Sequence, residues 1–194
     1  MDETHKDNDV SSGAIALHNA AKESRYRESN WREGKPVAKK PWCKFFIPKH
    51  GDGTFTDVAG ITKIKDEHEN GRGITIGDFN RDGLFDVAYG NWEGDHRLFL
   101  QEVDKDGNSE FKNVATSEFA DPTPIRTVIT ADFDNDGDTE IFMNNIFMGQ
   151  NLQPNKLFRL KALANRKDVS ISPLDIGDAL ESQGAGTGSA FGRY

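Results

Sequence analysis

The sequence has almost no cysteine and no long apolar run. Cys43 is the only cysteine among 194 residues, so no disulfide bond can form within the chain. Because no run of about eighteen apolar residues occurs, we expect no segment that spans a membrane. Apolar residues make up only 35% of the sequence, which is less than is usual for globular domains. Part of the chain is therefore expected to lie outside any packed core.

Positive charge is also scarce. The 24 Lys and Arg residues are outnumbered by 32 Asp and Glu residues, which gives a formal net charge of -8. An acidic chain without a basic stripe binds phosphate backbones poorly. The composition therefore predicts no nucleic-acid partner.

The first forty residues differ in composition from the rest. Residues 1–40 are polar and charged, and we interpret them as a largely disordered leader. This leader contains no apolar stretch of signal-peptide length. Order is expected to begin near Trp42, so residues 41–194 are predicted to hold the folded part of the chain.

Two acidic loops stand out in the folded part. Residues 78–86 read DFNRDGLFD and residues 132–140 read DFDNDGDTE, with oxygen side chains at loop positions 1, 3, 5 and 9 and glycine at position 6. Calcium takes about six to eight oxygen ligands, and glycine lets the chain reverse between them. The predicted ligands of two calcium ions are Asp78, Asn80, Asp82, Leu84 and Asp86 in the first loop and Asp132, Asp134, Asp136, Asp138 and Glu140 in the second, where Leu84 and Asp138 contribute main-chain carbonyls. The second loop places more carboxylates on its ion, so we expect it to bind calcium more tightly.

Two other loop types share part of this pattern, the EF-hand and the plain turn. An EF-hand needs Glu at loop position 12 and a helix on each side, whereas position 12 is Tyr89 or Met143 and each loop leads into a short apolar run typical of a buried strand. Asp, Asn and Gly also form ordinary turns, so either loop alone could be a plain turn. Their place in an internal repeat favours calcium binding for both.

The repeat has a period close to 54 residues. Asp78 and Asp132 lie 54 positions apart, and Phe55 and Phe111, which begin two F-x-x-V-A boxes, lie 56 apart. Each unit is predicted to contain a strand into the loop, a strand out of it, a third strand, a Gly-rich turn and a fourth strand. A strand, a hairpin turn and another strand are also predicted at residues 44–47, 49–53 and 54–59.

Four short antiparallel strands with a period near fifty predict a blade of a β-propeller. The fold class is therefore predicted to be all-β, with repeats at about 44–115 and 116–172 and a truncated third unit from about 177. Two blades without ring closure leave a sheet face and edges exposed. We accordingly expect a fragment of a larger ring, or self-association through the exposed faces.

The paired D-x-[DN]-x-D-G-x-x-[DE] loops with flanking strands resemble FG-GAP (VCBS-type) repeats, the calcium-binding blades also found in integrin α-subunit propellers. For that family the resemblance implies a seven-bladed ring and a secreted, calcium-binding protein of the extracellular matrix. This chain departs from the pattern because it lacks a signal peptide and further blades, which suggests a truncated form.

Three functions follow from these observations. The first is a non-enzymatic, adhesion-type module that binds an extracellular matrix or cell-surface protein. The second is a polysaccharide-active propeller enzyme with His50, His68 or His96 as acid-base group, although no nucleophile with its base is recognisable. The third is a calcium-dependent glycan-binding lectin that uses Tyr89 and Trp92, for which core packing is the competing interpretation.

Overall fold

The computed structural model describes residues 54, 56–146, 153–181 and 186–192, together with the backbone of residues 31–32 and 35–36. Those last residues form a short antiparallel pair, β1 (Trp31–Arg32) and β2 (Lys35–Pro36). The predicted strand at 44–47 and the predicted turn at 49–53 lie outside the described residues, as does most of the predicted leader.

Two four-stranded antiparallel sheets form the body of the fold, each with its strands in chain order. The first sheet consists of β3 (Gly71–Gly77), β4 (Asp86–Asn91), β5 (Gly94–Val103) and β6 (Ser109–Asn113). The second sheet consists of β7 (Ile125–Ala131), β8 (Thr139–Asn145), β9 (Lys156–Ala162) and β10 (Val169–Pro173). The predicted all-β class, with four antiparallel strands in each repeat, is confirmed.

Each acidic loop closes a hairpin between the first two strands of its sheet. The pairing of β3 with β4 ends at Gly77 opposite Asp86, and the pairing of β7 with β8 ends at Ala131 opposite Glu140. The last loop position is therefore part of the outgoing strand, as the first residue of β4 and the second residue of β8. This register fixes both ends of each loop to a rigid sheet.

Helical structure within the described residues is confined to two single turns. The turn α1 (Ser117–Ala120) joins the sheets and is capped by Thr116, whose Oγ1 accepts a hydrogen bond from Phe119 N at 3.2 Å. A 3-10 turn follows β10 at Gly177–Leu180. Neither is long enough to cross a lipid bilayer, and the described residues hold no other helix.

The main core lies between the two sheets. Its buried side chains come from both sheets, from α1 and from the first acidic loop, and they include Phe79, Leu98, Leu100, Phe119, Ile125, Val128, Ile141, Met143, Phe158 and Leu160. Strand β3 runs beside β7 so closely that a Cβ atom on Gly73 would lie 2.2 Å from the backbone nitrogen of Val128. The absence of a side chain at Gly73 thus sets the approach of one sheet to the other.

A smaller core covers the opposite face of the first sheet. Ala59 and Ile64 pack there against sheet residues that include Val87, Phe99 and Phe111. The strand predicted at residues 54–59 is wrong for its described part, since residues 56–58 are irregular and a turn follows from residue 59. Asp57 Oδ1 accepts a hydrogen bond from Ala59 N at 3.0 Å, and such a local side-chain bond competes with strand pairing.

The start of the third predicted unit is described only in part. Residues 186–192 form no strand, but they lie against the second sheet, where Thr127 Oγ1 donates a hydrogen bond to the carbonyl of Thr187 at 3.3 Å. Phe191 packs edge-on against Phe133 with ring centroids 5.0 Å apart. The segment therefore contacts the second sheet at β7 and at the acidic loop that follows it.

Candidate metal centres

Both acidic loops adopt the same backbone conformation. Position 4, which is Arg81 or Asn135, has a φ angle of 61° in each loop. Position 6 has a φ angle of 92° at Gly83 and 86° at Gly137, values that glycine adopts without the steric cost of a Cβ atom. Equivalent sequences thus produce two equivalent turns, with glycine in the role that the sequence predicts.

The first carboxylate of each loop is directed into the turn. Asp78 Oδ2 accepts a hydrogen bond from Gly83 N at 3.0 Å, and Asp132 Oδ2 accepts one from Gly137 N at 3.1 Å. These bonds hold position 1 against position 6 in both loops. They bring the first predicted ligand toward the centre of each turn.

The second loop brings three carboxylates together. Oxygen atoms of Asp132, Asp134 and Asp136 all lie within 4.8 Å of one another. Asp132 Oδ1 is buried and accepts no hydrogen bond in the described structure. Burying an anionic oxygen without a partner is costly, and oxygen clusters of this kind are what calcium selects. The residues of this loop therefore fit a calcium ion.

The first loop is organised by internal hydrogen bonds instead. Asn80 Nδ2 donates to Asp82 Oδ2 at 2.9 Å, and Asn80 Oδ1 accepts from Asp82 N at 3.2 Å. Asp78 Oδ1 also accepts from Asp82 N, at 3.0 Å. Within the part of the chain that the structure describes, a close group of three acidic side chains occurs only in the second loop. The neutral Asn80 thus replaces one carboxylate and donates to another.

Position 9 anchors each loop to its sheet. Asp86 is fully buried and accepts hydrogen bonds from Phe79 N at 2.7 Å and Gln101 N at 2.8 Å. Burial raises the pKa of Asp86 to about 6, against the opposing effect of these two amides. Glu140 is 1% exposed, accepts from Phe133 N at 2.8 Å, and has its pKa raised by burial. Each carboxylate oxygen has a second lone pair that can face a cation.

An arginine from the third strand of the second sheet also enters the second loop. Arg159 on β9 contacts the carboxylate of Asp134, lies 3.3 Å from Asp136 Oδ2, and lies 3.4 Å from Glu140 Oε1. Sequence reasoning missed this residue because it lies far from the loop along the chain. The alignment of the two repeats contains a signal for it, since the equivalent residue of the first repeat is the uncharged Leu100.

A second arginine reaches this loop from the other sheet. Arg81 belongs to the first loop, but its guanidinium contacts the carbonyl of Gly137 and lies 3.2 Å from Asp138 Oδ1. The guanidinium of Arg81 therefore contacts the second loop at two points, the carbonyl at position 6 and the carboxylate at position 7. Two arginines thus balance part of the negative charge that the second loop concentrates.

The comparison with family models identifies the segment that holds both loops. Residues 78–143 match the FG-GAP-like repeat family. The match begins at Asp78, the first residue of the first loop, and extends into β8 beyond Glu140, the last residue of the second. The resemblance to FG-GAP repeats that the sequence indicated is confirmed.

Curated relatives share sequence with most of the chain. It is 42% identical to human (Homo sapiens) cartilage acidic protein 1 over 93% of its own length, and 40% identical to the Xenopus tropicalis protein of that name over 98%. The mouse (Mus musculus) protein of the same name is 40% identical over 93% of this chain. The chain spans only 29% to 31% of the length of these relatives. Their names refer to cartilage and to acidity, and none names a catalytic activity.

The structure also places the other candidate residues that it describes, the histidines and the aromatic residues near the first loop. His96 is fully buried, and its Nδ1 accepts a hydrogen bond from Asn91 N at 3.1 Å, so the best acid-base candidate lies in no open cleft. Tyr89 is 2% exposed and belongs to the smaller core. This agrees with the prediction of core packing for Tyr89 and not with a sugar-binding surface. Trp92 remains half-buried and His68 is exposed, while His50 lies outside the described residues.

Proposed function

We propose that the chain is a calcium-binding, non-enzymatic interaction module, in which each acidic loop holds one calcium ion. The observation that carries this proposal is the second loop, where three carboxylates converge within 4.8 Å and Asp132 Oδ1 is buried without a donor. A divalent cation at that point would satisfy this oxygen and relieve the repulsion between the carboxylates.

The same residues would provide the ligands that the sequence predicts. In the second loop these are Asp132, Asp134, Asp136 and Glu140, with the Asp138 carbonyl, and in the first loop Asp78, Asn80, Asp82 and Asp86, with the Leu84 carbonyl. A bound ion would join the end of one strand to the start of the next, because each loop closes a hairpin. Calcium binding would then contribute directly to the stability of the sheets.

The proposed setting is extracellular, with a matrix or cell-surface protein as partner. The likeness to relatives named for cartilage supports this setting. We also propose that residues 41–194 are consecutive blades of a β-propeller, a fragment of a longer ring. An apolar hollow of about 340 Å³ supports this, because it lies on the face of the second sheet away from the first and is lined by Ile129, Phe142 and Leu157. In a propeller such a face packs against the next blade.

Thermal unfolding of the full chain tests the calcium proposal. Circular dichroism would be recorded with millimolar calcium and with excess chelator, for the parent chain and for Asp136→Ala. We expect calcium to raise the melting temperature of the parent by several degrees, because a ligand that binds only the folded state stabilises it. The rise should be smaller in the variant, which removes a carboxylate from the clustered group.

Asp106→Ala is the matched control for this experiment. Asp106 also lies in an exposed acidic turn, at the end of β5, but that turn belongs to neither loop. Its removal should leave the calcium-induced rise unchanged. An equal loss of the rise in both variants would show a general effect of charge, and a folded parent with no rise at all would refute calcium binding.

A further inference from the structure

Two arginines surround one tryptophan at the end of the sheets that the acidic loops do not use. The guanidinium carbon of Arg126 lies 4.5 Å from the centroid of the Trp92 ring, and that of Arg72 lies 5.7 Å from it. Arg72 is on β3 and Arg126 is on β7, at equivalent positions of the two repeats. The cluster therefore joins the first strand of one sheet to the first strand of the other.

This arginine cluster is remote from the candidate metal centres. Arg72 and Arg126 are the second residues of their strands, whereas the acidic loops follow the last residues, Gly77 and Ala131. At about 3.3 Å per residue, roughly 20 Å of strand separates each arginine from the loop on the same strand. Any ligand of the cluster would bind independently of an ion in the loops.

The two arginines of the cluster have no counter-ion among the residues that the structure describes. Within the described part of the chain, neither guanidinium forms an ion pair, whereas Arg81, Arg97 and Arg159 all contact carboxylates. Arg126 Nε is also buried without a hydrogen-bond partner. Two neighbouring cations repel each other, and a buried unpaired donor adds a further cost. The interaction of the cations with the tryptophan ring offsets only part of these costs.

We propose that Arg72, Trp92 and Arg126 form a binding site for a single carboxylate group presented by a protein partner. The guanidinium fork matches a carboxylate in shape and charge, and Arg72 is exposed to an incoming group while Arg126 is half-buried beside it. Contact with Trp92 orders both side chains before the ligand arrives. A partner aspartate or glutamate would offset the repulsion between the two guanidinium groups.

The charge of the whole chain favours a single carboxylate over a polyanion. With a net charge of -8, the chain presents excess negative charge to any polyanion long enough to extend beyond the two arginines. A local pair of arginines can still attract one acidic side chain, because charges beyond about 10 Å are largely screened at physiological ionic strength.

Nuclear magnetic resonance on the ¹⁵N-labelled full chain tests this proposal. The probe is acetyl-Gly-Glu-Gly-amide, with acetyl-Gly-Gln-Gly-amide as the neutral control, and the titration is repeated with calcium and with chelator. We expect the glutamate peptide to shift the indole signal of Trp92, assigned with Trp92→Phe, in a saturable manner under both conditions. The glutamine peptide should not shift it.

Variants separate a binding site from a structural contact. Arg126→Gln should weaken the binding of the glutamate peptide by about tenfold, and Arg126→Lys should also weaken it because the fork is lost. Arg72→Gln, at an exposed position, provides the same test if the Arg126 variants unfold. Arg166→Gln, an exposed arginine in the turn between β9 and β10, should leave binding unchanged.

Three results with the peptides and a fourth with heparin would overturn the proposal. The first three concern the peptides. These are an absence of saturable shifts, equal shifts with both peptides, and binding that persists in Arg126→Gln and Arg72→Gln alike. Tighter binding of a heparin hexasaccharide than of the peptide would assign the site to polyanions instead. Because the probe is titrated with and without calcium, failure here remains distinguishable from failure of calcium binding at the loops.

Discussion

Arg159 pairs with Glu140 across strands β8 and β9, and its Nε donates a hydrogen bond to Glu140 Oε1 at 3.4 Å. The same guanidinium contacts Asp134 and Asp136. An arginine held by three predicted ligands competes with calcium for them. The larger number of carboxylates in the second loop favours tighter calcium binding there, whereas Arg159 lowers the calcium affinity of the same loop.

Replacing Arg159 by leucine, the residue at the equivalent position of the first repeat, should strengthen calcium binding at the second loop. Hydrogen bonds to charged groups contribute about 1.5 kcal/mol or more, so we expect an increase in affinity on the order of tenfold. Isothermal titration calorimetry with calcium measures it.

Lys161→Leu is the control, because Lys161 is an exposed cation two residues further along β9. It should change the calcium affinity little. If Arg159→Leu weakens calcium binding or leaves it unchanged, the arginine does not compete with the ion.

Asn80→Asp should make the first loop more dependent on calcium. Asn80 is 1% exposed and donates to Asp82 Oδ2 at 2.9 Å, so an aspartate there would replace an attraction by a repulsion. We expect a melting temperature a few degrees lower in chelator and a larger rise on addition of calcium, because the loop gains a carboxylate ligand. Equal calcium-induced rises in parent and variant would contradict this prediction.

The buried His96 should make the fold sensitive to acid. Its Nδ1 accepts the amide of Asn91 at 3.1 Å, which leaves the proton on Nε2, 2.8 Å from Thr123 Oγ1. Burial, followed by the charge of Lys156, lowers the pKa of His96 from 6.5 to about 4. Between these values the unfolded chain binds a proton that the folded chain does not, so stability is full above the unfolded pKa and falls as the pH drops toward 4.

His96→Asn should remove this part of the pH dependence. The equivalent residue of the second repeat is Asn155, whose Oδ1 accepts the amide of Asn145 at 2.9 Å, so asparagine suits the position. Between about pH 7 and about pH 5 the parent should lose about 2 kcal/mol of unfolding free energy through this group. Urea unfolding at the two pH values measures the loss, and an equal loss in the variant would exclude His96 as its source.

Gly73→Ala should separate the two sheets. The added Cβ atom would lie 2.2 Å from Val128 N, a backbone atom that cannot rotate away. Overpacking of this kind costs about 3 kcal/mol, measurable by urea unfolding. Gly188→Ala, where a Cβ atom would meet nothing within 4 Å, should cost little. Similar stabilities of the two variants would show that the sheets can move apart freely.

The sequence predicted the parts of the fold that depend on local pattern. The loop spacing, the glycine at position 6 and the short apolar run after each loop all act over a few residues, and they predicted the hairpins. The recurrence of this pattern after 54 residues then predicted the repeat. The strand predicted over residues 54–59 was wrong in its described part. The side chain of Asp57 accepts a hydrogen bond from the backbone nitrogen of Ala59, and that bond competes with strand pairing.

The parts that the sequence could not predict depend on distant contacts. Arg159 meets Asp134 only because β9 pairs with β8, and Arg126 meets Trp92 only because the two sheets pack together. Nothing in the spacing of these residues along the chain indicates either contact. The ligands themselves remain predictions, supported in the second loop by the clustered carboxylates.

Arg81 belongs to the first repeat by sequence, but its side chain contacts the second repeat. It occupies position 4 of the first loop, yet its guanidinium contacts Gly137 and Asp138 of the second. If the second repeat were excised alone, its acidic loop would lose the positive charge of Arg81. The two loops could then no longer influence each other. The smallest unit that preserves the electrostatics of the second loop is therefore a pair of repeats, which limits how far these units can be exchanged or reordered as independent modules.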